Sequence, residues 1–252
     1  MAGFNTPLLD FFKRGDVERD LRLLAAKGAL APRAHEQLGL LMLLTADRDA
    51  DVASTAEATL SAIPVESLAH FLAGSDVSAE TRAFFAARGV EPDHDAGDED
   101  ATLFPDEAEE ASEGEEDAST TLQRIAAMTV AQRVVAAMKG SREERAILIR
   151  DPNKMVTVAV LSSPKLTETE VESIARMTSV SEEALRIIGR TRAWMKNYAV
   201  MVGLAKNPKT PVALSMNLLA RLTDKDLKMI STDRNVPDVV RQTARRKMAA
   251  GG

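Results

Sequence analysis

The chain has 252 residues, 45% of them hydrophobic and 28% charged, enough for one large domain or two small ones with real cores. It has no cysteine, which excludes disulfides, thiol nucleophiles and cysteine-held metals, and which fits a reducing, cytoplasmic setting. Only 4% of residues are aromatic, so Leu, Ala, Val, Ile and Met carry the apolar load, and helix-on-helix packing is favoured over a β-sandwich.

The net charge of −6 hides an uneven distribution. Residues 1–90 carry 9 Lys+Arg against 12 Asp+Glu, a net −3. Residues 91–120 carry 14 Asp+Glu and no Lys or Arg, a net −14. Residues 121–252 carry 23 Lys+Arg against 12 Asp+Glu, a net +11. An acidic strip therefore separates a near-neutral module (1–90) from a basic one (121–252).

Taken in order, residues 4–13 (FNTPLLDFFK) read as a short apolar docking helix. The N-terminus has no basic region ahead of an apolar core, so no signal peptide is expected. Leu8, Leu9, Phe11 and Phe12 suit either dimerisation or docking within the chain. Asp16 can cap a helix running to Lys27, with Gly28 ending it. Pro32 opens a helix to about Ala46. That helix holds the longest apolar run (38–46), which Thr45 interrupts and which is too short to span a bilayer. Three short helices follow at 52–62, 64–73 and 78–88, the last starting from Ser78.

Residues 91–120 have almost nothing to bury, so a disordered acidic linker is expected. Leu103, Phe104 and Pro105 form an apolar island in it, either a chance remnant or a short docking motif. Tethered to a +11 module, such a linker can compete with outside anions for that module.

Beyond Thr120 the helix starts are explicit. Thr120 to Gln123, Thr129 to Gln132, Ser141 to Glu144 and Thr167 to Glu170 have the S/T-x-x-E/Q form of a capping box, and Thr223 to Asp226 is a near relative. Pro152, Pro208, Pro211 and Pro237 fall near helix starts. The expected helices are 121–127, 130–139, 142–150, 153–162, 168–177, 181–192, 195–206, 209–220, 224–231 and 236–248. None can bury its apolar stripe alone, so they must stack.

An internal repeat supports stacking. Residues 151–175 align without a gap on residues 207–231, at an offset of 56. Pro152 falls on Pro208, Val156 on Val212, Leu166 on Leu222, Thr167 on Thr223, Glu170 on Asp226 and Ile174 on Ile230. A weaker echo at an offset of 103 sets Leu68 on Val171, Phe71 on Ile174, Val77 on Val180, Ser78 on Ser181 and Glu80 on Glu183. The expected fold class is all-α: short helical hairpins in an α-solenoid-like arrangement, in two modules.

The D/N-P start followed by V-x-x-A/S-V/M, in short helices with a 56-residue period, resembles HEAT-like α-solenoids and the bacterial leucine-rich-repeat variants. The resemblance covers about 121–248 well and 16–90 loosely. It implies a scaffold that presents one face to a partner, and it carries over no catalytic residue.

Catalytic and cofactor motifs are missing. His35, His70 and His94 have no metal-ligand spacing, and no phosphate loop or nucleophile elbow occurs. Asp93, Asp95, Asp98, Glu99 and Asp100 resemble a calcium loop in composition only. No catalytic residue, metal or cofactor is therefore expected.

Two basic clusters are the candidate partner-binding residues. Arg190, Arg192, Trp194, Lys196 and Tyr198 interleave cations with the only Trp and the only Tyr. On a continuous helix the two rings share a face. They can then stack on single-stranded nucleic acid, or join Met201 in a core stripe with the cations on the wet side. The second cluster is Arg241, Arg245, Arg246 and Lys247, either an anion site or cations favoured at a helix C-terminus. The expected function is a non-enzymatic scaffold for a protein partner, modulated by the acidic linker, and the alternative is nucleic-acid binding by 121–252.

Overall fold

The computed structural model describes residues 6–15, 17–30, 33–93 and 118–250. Sixteen α-helices and one 3-10 turn make up the regular structure there, with no strand among the described residues. The fold is all-α. None of the described helices is long and apolar enough to cross a membrane.

The helices divide into two compact units, Met1–Ser141 with Ser162–Pro164, and Arg142–Leu161 with Lys165–Gly252. The division of contacts does not coincide with the division of charge near residue 120, because two helices beyond that point belong to the first unit. Residues 94–117, with His94 and the Leu103, Phe104, Pro105 island, lie outside the described residues, as do Asp16 and Pro32. The linker expected over 91–120 is shorter at both ends. The Asp93 N–H donates to the Ala69 carbonyl at 3.0 Å, and residues 118–120 are already helical. Thr120 consequently sits inside a helix rather than capping one.

The first unit holds α1 (Pro7–Lys13), α2 (Arg19–Ala26), α3 (Ala34–Leu44), α4 (Ala50–Ser61), α5 (Val65–Ala73), α6 (Ala79–Ala86), α7 (Ala118–Ala127) and α8 (Val130–Lys139). Glu18 occupies the N-cap of α2, two residues later than expected. Gly28, at φ +78°, turns the chain after it as a left-handed C-terminal glycine. Helix α1 docks on α3 in the same chain, burying Leu8, Leu9 and Phe12. Gly39 permits this approach, since a Cβ there would lie 3.1 Å from Leu9 Cδ1. Helices α2, α3 and α4 pack mutually, and α8 lies on α2.

The second unit holds α9 (Arg142–Leu148), α10 (Lys154–Ser162), α11 (Glu168–Arg176), α12 (Glu182–Arg190), a 3-10 turn (Trp194–Lys196), α13 (Tyr198–Lys206), α14 (Val212–Leu219), α15 (Asp224–Thr232) and α16 (Asp238–Ala250). Helix α13 packs between α11 and α15, while α14 packs on α13 and α16, and α16 on α15. Helices α11, α13 and α15 thus lie in one row, with α14 and α16 packed against it, so that each short amphipathic helix buries its stripe against its neighbours. Val171, Ile174, Leu185, Ile188, Val200, Leu204, Leu218, Leu227, Ile230 and Val240 fill the space between the helices. Gly203 lets α13 approach α11, because a Cβ there would be 3.2 Å from the Ala175 Cβ.

Three connections of this unit open on the same local hydrogen bond. Asp151, Asn207 and Asp233 each use a side-chain oxygen to accept from the N–H two residues on, at 2.8–3.0 Å. Asn207 also donates to the Ala175 and Met177 carbonyls, both at 2.9 Å, so it ties the end of α11 to the start of the next hairpin. Ser78 and Ser181 each cap a helix by accepting from the N–H three residues later, and Val77 and Val180 are both buried just before them.

Candidate interaction surface

The site is built on how the odd-numbered helices begin. Thr167 caps α11, its hydroxyl accepting from the Glu170 N–H, while Glu170 Oε2 accepts from the Thr167 N–H at 2.9 Å. This closes a capping box, in which two helix-start N–H groups are satisfied reciprocally. Arg145 of α9 then clamps the same carboxylate, with Nη2 at 2.9 Å from Oε1, and both side chains are buried. Burial pushes the Glu170 carboxyl up, but the Thr167 bonds and the Arg145 guanidinium outweigh it and hold the group below the usual range.

The equivalent start, α15, is closed differently. Thr223 caps it and accepts from the Asp226 N–H. Asp226 is one methylene shorter than glutamate, and the Thr223 N–H goes instead to the Tyr198 hydroxyl at 3.0 Å. That hydroxyl donates to Asp226 Oδ2 at 2.5 Å. The phenol thus completes the box from the neighbouring helix. Its hydrogen bond, together with Thr223, Lys206 and Lys225, lowers the Asp226 pKa against the effect of burial.

Between these two starts lies the connection from α12 to α13. The first turns of α11, α12 and α15 each carry two acidic residues, and those of α10, α13 and α14 carry none. Helix α12 ends at Arg190, and the 3-10 turn follows. Asn197 breaks the helix expected over 195–206. Its backbone is extended, at φ −79° and ψ 117°, and its side chain caps α13 by accepting from the Ala199 N–H at 2.9 Å. Trp194 and Tyr198 therefore do not share one helix face. Trp194 is half-buried, Tyr198 is exposed with its hydroxyl committed, and only Met201 enters the core. Neither expected stripe forms, because a strong N-cap residue overrides the apolar period.

Arg190, Arg192 and Lys196 are exposed, and among the described residues none of the three has a carboxylate partner. Arg221, beyond α14, adds a fourth cation, since its Nη2 donates to the Met195 carbonyl at 3.1 Å. Sequence reasoning missed Arg221. Its signal was its place one residue before Leu222, in the stretch that the repeat aligns on Lys165 and Leu166.

The second basic cluster serves helix ends instead. Arg245 donates from Nε and Nη2 to the Ser231 carbonyl in the last turn of α15. Lys247 Nζ donates to the Leu219 carbonyl at the end of α14, at 2.8 Å. Arg241 pairs with Asp238 at 2.9 Å, which leaves Arg246 pointing to solvent. These are cations at helix C-termini, but the termini belong to neighbouring helices, a long-range arrangement that sequence proximity does not reveal.

His35 is paired with Asp76 at 2.8 Å and lies against the Phe71 ring, and no metal-ligating cluster occurs among the described residues. No family model, curated protein or solved structure matches the chain.

Proposed function

We propose that this chain is a non-enzymatic, HEAT-like helical-repeat scaffold that holds a protein partner in the cytoplasm. The observation that carries this reading is the α12–α13 connection, an exposed loop that holds the 3-10 turn and displays Arg190, Arg192 and Lys196 without carboxylate partners among the described residues. Packing makes no such demand, and exposed loops on a rigid scaffold are where binding chemistry concentrates. The carboxylates around it support binding over turnover. Glu170, Asp226 and Glu172 are each engaged in capping or in bridging helices, which gives these three a structural role.

The test is affinity capture with the full chain from its native cell, with and without nuclease. A protein partner that survives nuclease treatment, and that is lost with an R190E/R192E/K196E chain, is the expected result. Recovery that depends wholly on nucleic acid would replace this reading with nucleic-acid binding by the basic half.

A further inference from the structure

We infer that the α12–α13 connection and the outward side of α14 form one docking surface for an acidic polypeptide segment with apolar side chains spaced along it. This rests on the scaffold reading above and adds the chemistry of the partner.

The surface has a basic part and an apolar part, and they adjoin. The basic part is Arg190, Arg192 and Lys196, joined by Arg221 through its bond to Met195. The apolar part is α14, which has no charged residue from Pro211 through Ala220. Val212, Ala213, Met216 and Ala220 lie on one side of it by helical spacing. Val212 is 43% exposed, Ala213 and Ala220 are exposed and Met216 is half-buried. The other exposed helices of this unit do not look like this. Helix α11 shows Glu168, Thr169, Ser173 and Arg176 to solvent, and α16 shows Val239 set among the polar and charged Asp238, Gln242, Arg245 and Arg246. A single exposed valine is ordinary, whereas a whole helix side without charge marks a contact surface.

Two contacts bring the parts together. Leu214 turns away from solvent to Gly189 of α12, where an added Cβ would fall 2.4 Å from Leu214 Cδ2. Arg190 immediately follows that glycine. At the other end of α14, Arg221 reaches the turn that carries Lys196. The end of α14 that carries Ala220 therefore adjoins the turn with Lys196, and the buried side of α14 packs on the end of α12 from which Arg190 projects.

The chemistry favours a polypeptide over a nucleic acid. Stacking on successive bases needs several open aromatic faces, but Trp194 is half-buried, which leaves the Tyr198 ring as the one exposed aromatic of this connection. Glu172, held by Asn197, and Asp224 and Asp226 flank the cations and interrupt any longer phosphate track. A phosphodiester backbone also offers nothing to Val212 and Met216. Carboxylates set singly against the arginines, with aliphatic or aromatic side chains between them, satisfy both parts.

The experiment uses the full chain and two labelled probes, followed by fluorescence anisotropy at low and moderate salt. One probe is a peptide of about 15 residues of Glu and Asp with Leu or Phe at every fourth position, and the other is a single-stranded oligonucleotide of similar charge. The peptide is expected to bind, to weaken by roughly tenfold or more in R190E/R192E/K196E, and to weaken with salt. M216S is expected to weaken it also, but without changing the salt dependence. Circular dichroism and thermal melting of the variants check that the fold is kept. Equal peptide affinity in the wild-type and charge-reversed chains overturns the inference while leaving the scaffold reading intact. Peptide binding that M216S leaves unchanged removes α14 from the surface and overturns it as stated. Preferential binding of the oligonucleotide, abolished by the same reversal, overturns both.

Discussion

Glu170 and Asp226 stand at the same place in two copies of one design, and what surrounds them has diverged. Glu170 reaches its own cap residue and is clamped by Arg145, with both partners under 10% exposed. Asp226 reaches the Thr223 hydroxyl but not the Thr223 N–H, which goes to the Tyr198 hydroxyl at the surface. The first arrangement closes a helix start inside the unit. The second sets a helix start at the surface, completed by the first residue of α13. The lesson is that a repeat tolerates chemical change at a cap provided the orphan N–H finds a partner, and the freed position can then face outward.

The comparison breaks most easily at Arg145. Arg145→Met leaves Glu170 buried without its cation and is expected to cost about 3–5 kcal/mol in urea unfolding at neutral pH. Replacing both, R145M/E170L, is expected to recover most of the loss, since an apolar pair of similar size avoids desolvating two charges. A loss under about 1 kcal/mol in the single variant would place the clamp among surface pairs. The acid limb gives a second check. The folded pKa of Glu170 lies below its ordinary value of 4.5, so its contribution is fully present above that pH. It is lost as pH falls through the lower folded value. In R145M/E170L that part of the acid sensitivity is expected to vanish.

Tyr198 sharpens the contrast at a smaller scale. Tyr198→Phe removes the group that bridges Thr223 and Asp226, and about 1 kcal/mol of stability is expected to go with it. In that background Asp226→Glu is expected to restore part of the loss, because the longer side chain reaches the Thr223 N–H as Glu170 reaches Thr167. Thermal melting of Y198F and Y198F/D226E decides it, and equal melting temperatures would refute the reach argument.

The smallest expected effect lies in the first unit, where a buried carboxylate is perturbed the opposite way. Glu36 of α3 is 2% exposed, and burial raises its pKa against a bond from Thr6 and the charge of Arg33. Keeping it ionised in the folded state costs stability. The cost is absent below pH 4.5 and grows as pH rises through the raised folded value. Glu36→Gln is therefore expected to gain up to about 1 kcal/mol at pH 7, with the gain disappearing near pH 4, as read from melting temperature against pH.

Much of the architecture was legible because helix boundaries are local chemistry. Thr129, Thr167, Ser78, Ser181 and Thr223 cap helices where their spacing predicts, since a hydroxyl and an N–H three residues away meet whatever the rest of the chain does. Asn197 was equally local but was outweighed by the apolar spacing around it, so one expected helix is two elements. The basic clusters were visible as composition, yet their roles were not. Arg245 and Lys247 serve carbonyls 14 and 28 residues away, and nothing in their immediate neighbours distinguishes them from Arg190 and Arg192.

By itself, then, the sequence determined the all-α class, most helix limits and the segregation of charge. These follow from hydrogen bonds and apolar periods within a few residues of one another. Tertiary structure alone decided which cations are spent and which are displayed. It also decided that a phenol completes the start of α15, that α1 buries its phenylalanine within its own chain, and that the Ala220 end of α14 adjoins the basic turn. Each of these depends on groups 14 or more residues apart being brought within a few ångströms, and that distance is set by how the helices stack.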